Sequence, residues 1–465
     1  MKTKLIILLI LCSALSACKT LQDPYERPAL PVSDSWSTVS AASDAPATAA
    51  SEVPWQSYYK DERLRSVIEL ALKNNRDLRV ALLNVERTQA LYRIQSSELW
   101  PSVGAMASGE VTRVPDKAST TGTEYTYKQF SVNLGIASWE IDLFGRLRSL
   151  KESALEQYFA TEQTACAAED SLVSAVAAAY LTLAADSETL ALARSSFETQ
   201  QSSYDLIRRS RELGVASELD LSQALSQVEQ ARAVIATYTG RIASDRNSLE
   251  LLVGAGISPD LLPDRLSAVA ETPDVSAGLP SDVLLRRPDI LAAEHSLKAA
   301  NANIGAARAA FFPNISLTTA VGTASSDLMD LFQSGTGTWT FQPTIAVPLF
   351  AGGGLKANLD AAKVEREITV AQYEKAIQAA FADVNDALTL RATLVTRRTA
   401  EEALVTALSN AYRLSDARYK AGVDSYLAVL VAQRSLFSAQ QSLISARLAE
   451  QLNRVTLYKV LGGGI

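Results

Sequence analysis

The sequence predicts a mainly α-helical chain that also carries four membrane-crossing β-strands, so that several copies must close one barrel and continue it as a ring of long helices. Three observations predict this. The chain is written twice, with matching punctuation in both halves. Each half holds two period-two segments joined by a polar loop, the pattern of a β-hairpin. Each half also holds one helical stretch of about 67 residues, roughly 100 Å at 1.5 Å per residue, far longer than an ordinary globular helix.

The start of the chain sets the compartment. Lys2 and Lys4 precede an apolar run, Leu5 to Leu11, and small residues lead to Cys18. Residues 1–17 read as an export signal, outside the fold, and the run is too short for a membrane span of about 20 residues. Leu15-Ser16-Ala17-Cys18 resembles the bacterial lipobox, which implies cleavage before Cys18 and a covalent lipid on its thiol, with no other cofactor. Lys19 follows where inner-membrane lipoproteins carry an aspartate; that resemblance implies the outer membrane. Cys12 leaves with the signal, so Cys166 is the remaining thiol and no internal disulfide can form. Cys166 lies in an Ala-rich helical stretch and reads as a small buried apolar residue.

Composition narrows the function classes. The full chain carries a net charge of −7, and loss of Lys2 and Lys4 takes it to about −9. An acidic balance argues against nucleic acid, which needs a basic surface. His295 is the single histidine and lies in a helical pattern, so no His/Cys metal cluster can be built. Past the signal no apolar run approaches a membrane helix, and any span must be made of strands closed into a barrel.

The elements follow in order. Residues 18–59, rich in Pro, Ser, Ala and Asp, read as a tether from the lipid anchor. The first repeat covers 60–256 and the second 282–465, separated by an irregular Pro-, Asp- and Leu-rich linker, 257–281, that reads as a partial equatorial belt. Each repeat opens with a helix, near 60–99 and 282–311, ending at Trp100-Pro101 or Phe312-Pro313. Alternating segments near 102–113, 129–143, 314–323 and 338–349 predict strands. Phe130, Val132, Leu134 and Ile136 share one side, as do Trp339, Phe341, Ile345, Val347 and Leu349. Loops 114–128 and 324–337 are rich in Thr, Ser, Gly and Asp. Breaks at Phe144-Gly145 and Phe350-Ala351-Gly352 lead into the long helices, 146–212 and 353–420. Gly214 and Gly422 stop these, and further helices span 216–253 and 424–461. From Gly214 and Gly422 onward the two halves correspond at a constant offset of 208, the mark of a duplicated unit.

Four strands cannot close a membrane barrel, which starts at about eight. An open sheet in lipid would strand its edge N–H and C=O groups, at several kcal/mol each. Sharing one barrel among copies resolves this, and it requires at least two chains. The strands run on into helices, so a ring of strands continues as a ring of helices whose turns lie far from the membrane.

Several strings carry a family resemblance: Asn75-Arg76-Asp77-Leu78-Arg79, Trp139-Glu140-Ile141-Asp142-Leu143-Phe144-Gly145-Arg146-Leu147-Arg148, Leu279-Pro280-Ser281-Asp282, Arg286-Arg287-Pro288-Asp289-Ile290, Ile304-Gly305-Ala306-Ala307-Arg308-Ala309 and Leu461-Gly462-Gly463-Gly464. With them the whole mature chain resembles the TolC family of outer-membrane factors, in its OprM-like lipoprotein branch. The resemblance implies a homotrimer in outer-membrane lipid, with a 12-strand β-barrel continuing into a 12-helix periplasmic α-barrel. It also implies docking with a periplasmic adaptor (membrane fusion protein) and an inner-membrane pump of the resistance-nodulation-division type, the whole exporting drugs.

A passive duct needs a gate, expected near the helical turns. The resemblance implies pairing of Tyr419, just before the second turn, with Asp220, just after the first. Relatives often place an aspartate ring where this chain has Val431. The inner constriction is therefore either charged, with Asp424 and Arg434 as polar members, or apolar, formed by Leu427 and Val431. Apolar constrictions close pores by dewetting. The turns Gly214-Val215-Ala216-Ser217 and Gly422-Val423-Asp424-Ser425 are the candidate adaptor contacts. A periplasmic adaptor is the nearest rival reading, and it does not explain two strand hairpins set between helices. A coiled-coil structural lipoprotein would not need them either. An enzyme fits least, since Gly352-Gly353-Gly354 lacks the Lys-Ser/Thr of a phosphate-cradling loop.

Overall fold

The computed structural model describes residues 20–33, 35–36, 50, 53–273, 275 and 284–463. Residues 1–17, read as an export signal, Cys18, Lys19, the Leu279–Asp282 string and residues 464–465 lie outside the described residues. The chain divides into two compact units. One gathers the N-terminal stretch up to Ala29 with Asn84–Thr161 and Ala292–Tyr373; the other gathers Leu30–Leu83, Glu162–Leu291 and Glu374–Ile465.

The first unit holds the sheet. Strands β1 (Val103–Val114), β2 (Tyr125–Glu140), β3 (Asn314–Ser325) and β4 (Gly337–Ala346) form an antiparallel sheet in the order β1-β2-β3-β4. Residues directly opposite each other share a face, so the register separates two chemistries. Ala105 faces Leu134, which faces Val321, which faces Trp339. Val103, Ile136, Thr319 and Phe341 form the next row of the same apolar face. The other face carries Ser108, Ser131, Asn133, Gly322 and Thr338, with the two serine hydroxyls 2.9 Å apart. This confirms the sidedness read from the alternation.

A bulge between Ile136 and Trp139 keeps that sidedness through the end of β2. The partners advance from Thr319 to Leu317 while β2 advances one residue more, so Trp139 stays on the apolar face despite its odd spacing. Thr318 Oγ1 donates to the Ala137 carbonyl at the bulge, 2.8 Å away. Between β2 and β3 the glycines are needed for close approach. A Cβ at Gly322 would fall 2.1 Å from the Val132 carbonyl oxygen.

Three strand limits differ from expectation by three residues or more; one is the end of β2, at Glu140 rather than near 143. β2 begins at Tyr125, because Tyr125–Lys128 pair in register with Val111–Val114, and the polar side chains there hid the alternation. β4 ends at Ala346; Val347 and Leu349 alternate with Pro348 and leave the ladder.

Helices adjoin every strand in sequence. α1 (Glu62–Asn74) and α2 (Arg76–Ser97) precede β1, α3 (Arg146–Glu212) and α4 (Glu218–Val253) follow β2, α5 (Pro288–Ala309) precedes β3, and α6 (Gly354–Lys420) and α7 (Tyr426–Val460) follow β4. α3 and α6 are each 67 residues, about 100 Å of helix. The single helix expected over 60–99 is broken at Asn75. Its side-chain oxygen accepts from Leu78 N at 2.8 Å, capping α2, while Nδ2 donates to the Leu252 carbonyl at 2.7 Å. In the same unit Arg287 donates to the Val460 carbonyl and is chelated by Asp289, with Pro288 at the helix start, where its missing N–H is harmless.

One stretch of α3 is long and apolar enough, by composition, to cross a membrane, which corrects the expectation that no such run follows the signal. Its Val173, Val176, Ala177, Tyr180 and Leu181 are buried in the chain's own second-unit core. Small apolar side chains there let helices pack closely. Cys166 is half-buried rather than buried, and burial, followed by the charges of Glu169 and Asp170, pushes its thiol up, away from thiolate chemistry.

The first-unit corner between strand and helix is strapped by charge. Arg146 chelates Glu140 at 2.9 and 2.6 Å, and Arg148 pairs with Asp142, while Gly145 turns the chain at φ +77°. Phe144 stacks on Phe312 at 4.8 Å.

Candidate functional site

The two helical turns belong to the second unit, and both are built the same way. At the first, Gly214 N donates to the Arg211 carbonyl and Val215 N to the Ser210 carbonyl, closing α3 with the bond pattern of a Schellman motif. At the second, Gly422 N donates to Tyr419 and Val423 N to Arg418. Both glycines have positive φ, +77° and +72°, the left-handed conformation that other side chains resist.

The helices restart differently. Ser217 caps α4 with a reciprocal capping box: Asp220 N donates to Ser217 Oγ at 3.1 Å, and Ser217 N donates to Asp220 Oδ2 at 3.0 Å. Ser217 Oγ also donates to that oxygen at 2.7 Å. At the second turn Ser425 precedes α7 without a side-chain cap bond: Ala428 N donates to the Ser425 carbonyl instead, and Ala428 has no carboxylate to complete a capping box.

One apolar cluster joins all four helices. Ile207 of α3, Ala224 of α4 and Tyr426, Val429 and Leu430 of α7 are buried together, with Tyr204, Leu221, Tyr412 and Tyr419 packed against them. Tyr419 lies 5.3 Å from Tyr426, ring to ring. Burial, and then the charge of Asp220, pushes the Tyr419 phenol above its ordinary value. Asp220 thus acts on Tyr419 electrostatically, while its hydrogen bonds go to Ser217.

Two ion pairs clasp the turns. Arg418 holds Asp424 in a two-pronged bond at 2.5 and 3.0 Å, and that guanidinium keeps the Asp424 carboxyl below the usual carboxylate range. Arg211 holds Glu218 at 2.5 Å across the first turn. The candidate polar member Asp424 is therefore committed to its own turn. Arg418, Arg211 and Glu218 were not singled out from the sequence; the signal was a cation and an acid flanking each glycine stop.

Leu427, Val431 and Arg434 form an exposed stripe at helical spacing on α7, about 100° round the helix from the buried Tyr426, Leu430 and Gln433. At the tips, Val215 is 82% exposed and Leu213 and Val423 are also open, as are Gly214, Gly422, Ser217 and Ser425. Ala216 differs from the other candidate contacts: it packs toward the cluster.

A sheet with one apolar and one polar face, whose strands run on into long paired helices, defines the subunit of an outer-membrane channel. The family model for outer membrane efflux proteins matches residues 67–255 and 279–463, and the chain belongs to that family. It is 47% identical over 466 residues to the Pseudomonas putida "Antibiotic efflux pump outer membrane protein ArpC", covering 100% of this chain and 96% of that protein. It is equally similar to the "Toluene efflux pump outer membrane protein TtgC", also from Pseudomonas putida, at 47% over 466 residues and the same coverage. The solved open state of the Neisseria gonorrhoeae MtrE outer membrane channel superposes with a TM-score of 0.88 at 40% identity, covering 96% of this chain and 98% of that one. The chain is the outer-membrane channel component of an efflux system, as the sequence resemblance implied.

Proposed function

We propose that three copies of this chain form a passive export duct, anchored through lipid on Cys18, gated at the helical turns and opened when a periplasmic adaptor and an inner-membrane pump dock. One observation carries the shared duct: β1 and β4 are the sheet's edges, and their apolar face, with Trp339, Phe341 and Ile345 exposed, suits lipid only once copies pair those edges. The reading needs no catalytic residue, because the pump supplies the energy. Relatives named for antibiotic and toluene efflux support drugs and apolar solvents as cargo.

The gate consists of Tyr419 beside Asp220, the Arg418–Asp424 clasp, and the exposed stripe of Leu427 and Val431, with Arg434 at its polar end. Exposed pairs are individually weak. Symmetry repeats them, and an adaptor with modest preference for the open state reverses the balance. Replacing Arg418→Ala together with Tyr419→Phe is expected to raise single-channel conductance in planar bilayers. Asp220 is better left in place, since its loss would also remove the carboxylate half of the α4 capping box. Conductance that stays at the native value in an intact oligomer would count against this gate.

A further inference from the structure

The N-terminal stretch is not a loose tether where the structure describes it. Asp23 is chelated by Arg308, both bonds 2.7 Å, and its carbonyl accepts from Asn301 at 2.9 Å. Arg308 also donates to the Leu21 carbonyl at 3.0 Å. Arg27 grips Glu294, which is 2% exposed, at 3.0 and 2.9 Å. The backbone fits where side chains are missing: a Cβ at Gly305 would meet Gln22 N at 3.0 Å, and one at Gly145 would meet Thr20 Cα at 2.9 Å. Residues 20–27 therefore form a strap seated on α5 and ending at the strand-to-helix corner.

That corner holds a groove of about 400 Å³ whose apolar lining includes Ile141, Leu143, Phe312, Pro313, Ile315 and Val347. Phe144 and Arg146, on either side of Gly145, also line it. Cys18 lies two positions before Thr20, a reach of about 7 Å. We propose that this groove seats an acyl chain carried by Cys18, and that the strap sets where the lipid enters the bilayer. The proposal rests on the lipid-anchor reading. Glu294, Asn301, Gly305 and Arg308 are then positioning residues for the anchor, which explains the Ile304–Arg308 string. The strap brings the modified residue to one place, whereas a free tether would let it range over the surface.

The test uses the full-length protein made in cells fed a diazirine-bearing fatty acid. Outer membranes are irradiated and cross-linked peptides are identified by mass spectrometry. The expected result joins the acylated Cys18 peptide to peptides containing Ile141–Leu143 or Phe312–Ile315. Acylated Cys18 cross-linked only to phospholipid, or to another copy of the chain, would overturn the groove. A Cys18 peptide without acyl mass would instead overturn the lipid anchor itself. Asp23→Ala with Arg27→Ala alters only the strap; acylation should persist while the groove cross-link falls about fivefold. An unchanged yield in that variant would show that the strap does not position the lipid.

Discussion

Asp170 shows how much one side chain's surroundings decide. It sits on α3 beside Glu169, and burial, followed by the neighbouring Glu169 charge, pushes its carboxyl up to about 7; Lys459 and Arg287 oppose this. The folded chain thus holds this proton more tightly than the unfolded chain, so its contribution to stability is complete below about pH 4 and lost as pH rises through about 7. Asp170→Asn is expected to raise the thermal midpoint by a few degrees at about pH 8, with no gain at about pH 4, as followed by circular dichroism in detergent. An equal gain at both values would mean that packing, not charge, is responsible. Such environments were not legible in the sequence, where Asp170 is one acid among many along a helix. Tyr419 and Asp220 were named because the family resemblance implies that pair, one just before the second turn and the other just after the first. Arg27 and Glu294, 267 positions apart, carry no local sign. The Arg418–Asp424 clasp became visible only with the turn folded.

At the level of elements, periodicity spoke clearly wherever one face differed from the other. α3 starts at Arg146 and ends at Glu212, the limits its flanking Phe-Gly and Leu-Gly steps predict. The break at Asn75 was missed because its cause is tertiary: the side chain caps α2 and reaches the Leu252 carbonyl at once. The register of β2 against β3 was also beyond reach, since it depends on the bulge after Ile136 and on glycines whose hydrogens face a neighbouring backbone. Gly322→Val should prevent that pairing, because the added carbon would meet the Val132 oxygen at 2.1 Å. The folded species that resists SDS in unboiled outer-membrane samples should then disappear. Val321→Ile, one residue earlier on the apolar face of β3 and 62% exposed, is the control and should assemble normally. If Gly322→Val assembles as well as the control, the β2–β3 register described above is wrong.

Across the whole molecule the argument turns on what one chain leaves unfinished. Among the described residues, β1 and β4 each have one side without a partner strand, while Trp339, Phe341 and Ile345 are exposed. In lipid every unpaired backbone group costs several kcal/mol, so a membrane-inserted monomer is strongly disfavoured. The duplication supplies four strands, and closure must come from further copies pairing β4 of one with β1 of the next. The sequence carries this argument as far as "more than one copy"; the count of three comes from the family resemblance, because barrel size depends on strand tilt and stagger as well as strand number. Native mass spectrometry of the full-length protein, extracted from outer membranes in mild detergent, measures that count. The expected species is a trimer with acyl mass on every subunit, releasing monomer only under conditions that also unfold the sheet. A dimer would keep the shared barrel but close it with eight strands, at the lower limit of about eight and too narrow for a duct. A detergent-free, lipid-free monomer would remove the shared barrel altogether, and with it the reason for one face of this sheet to be apolar.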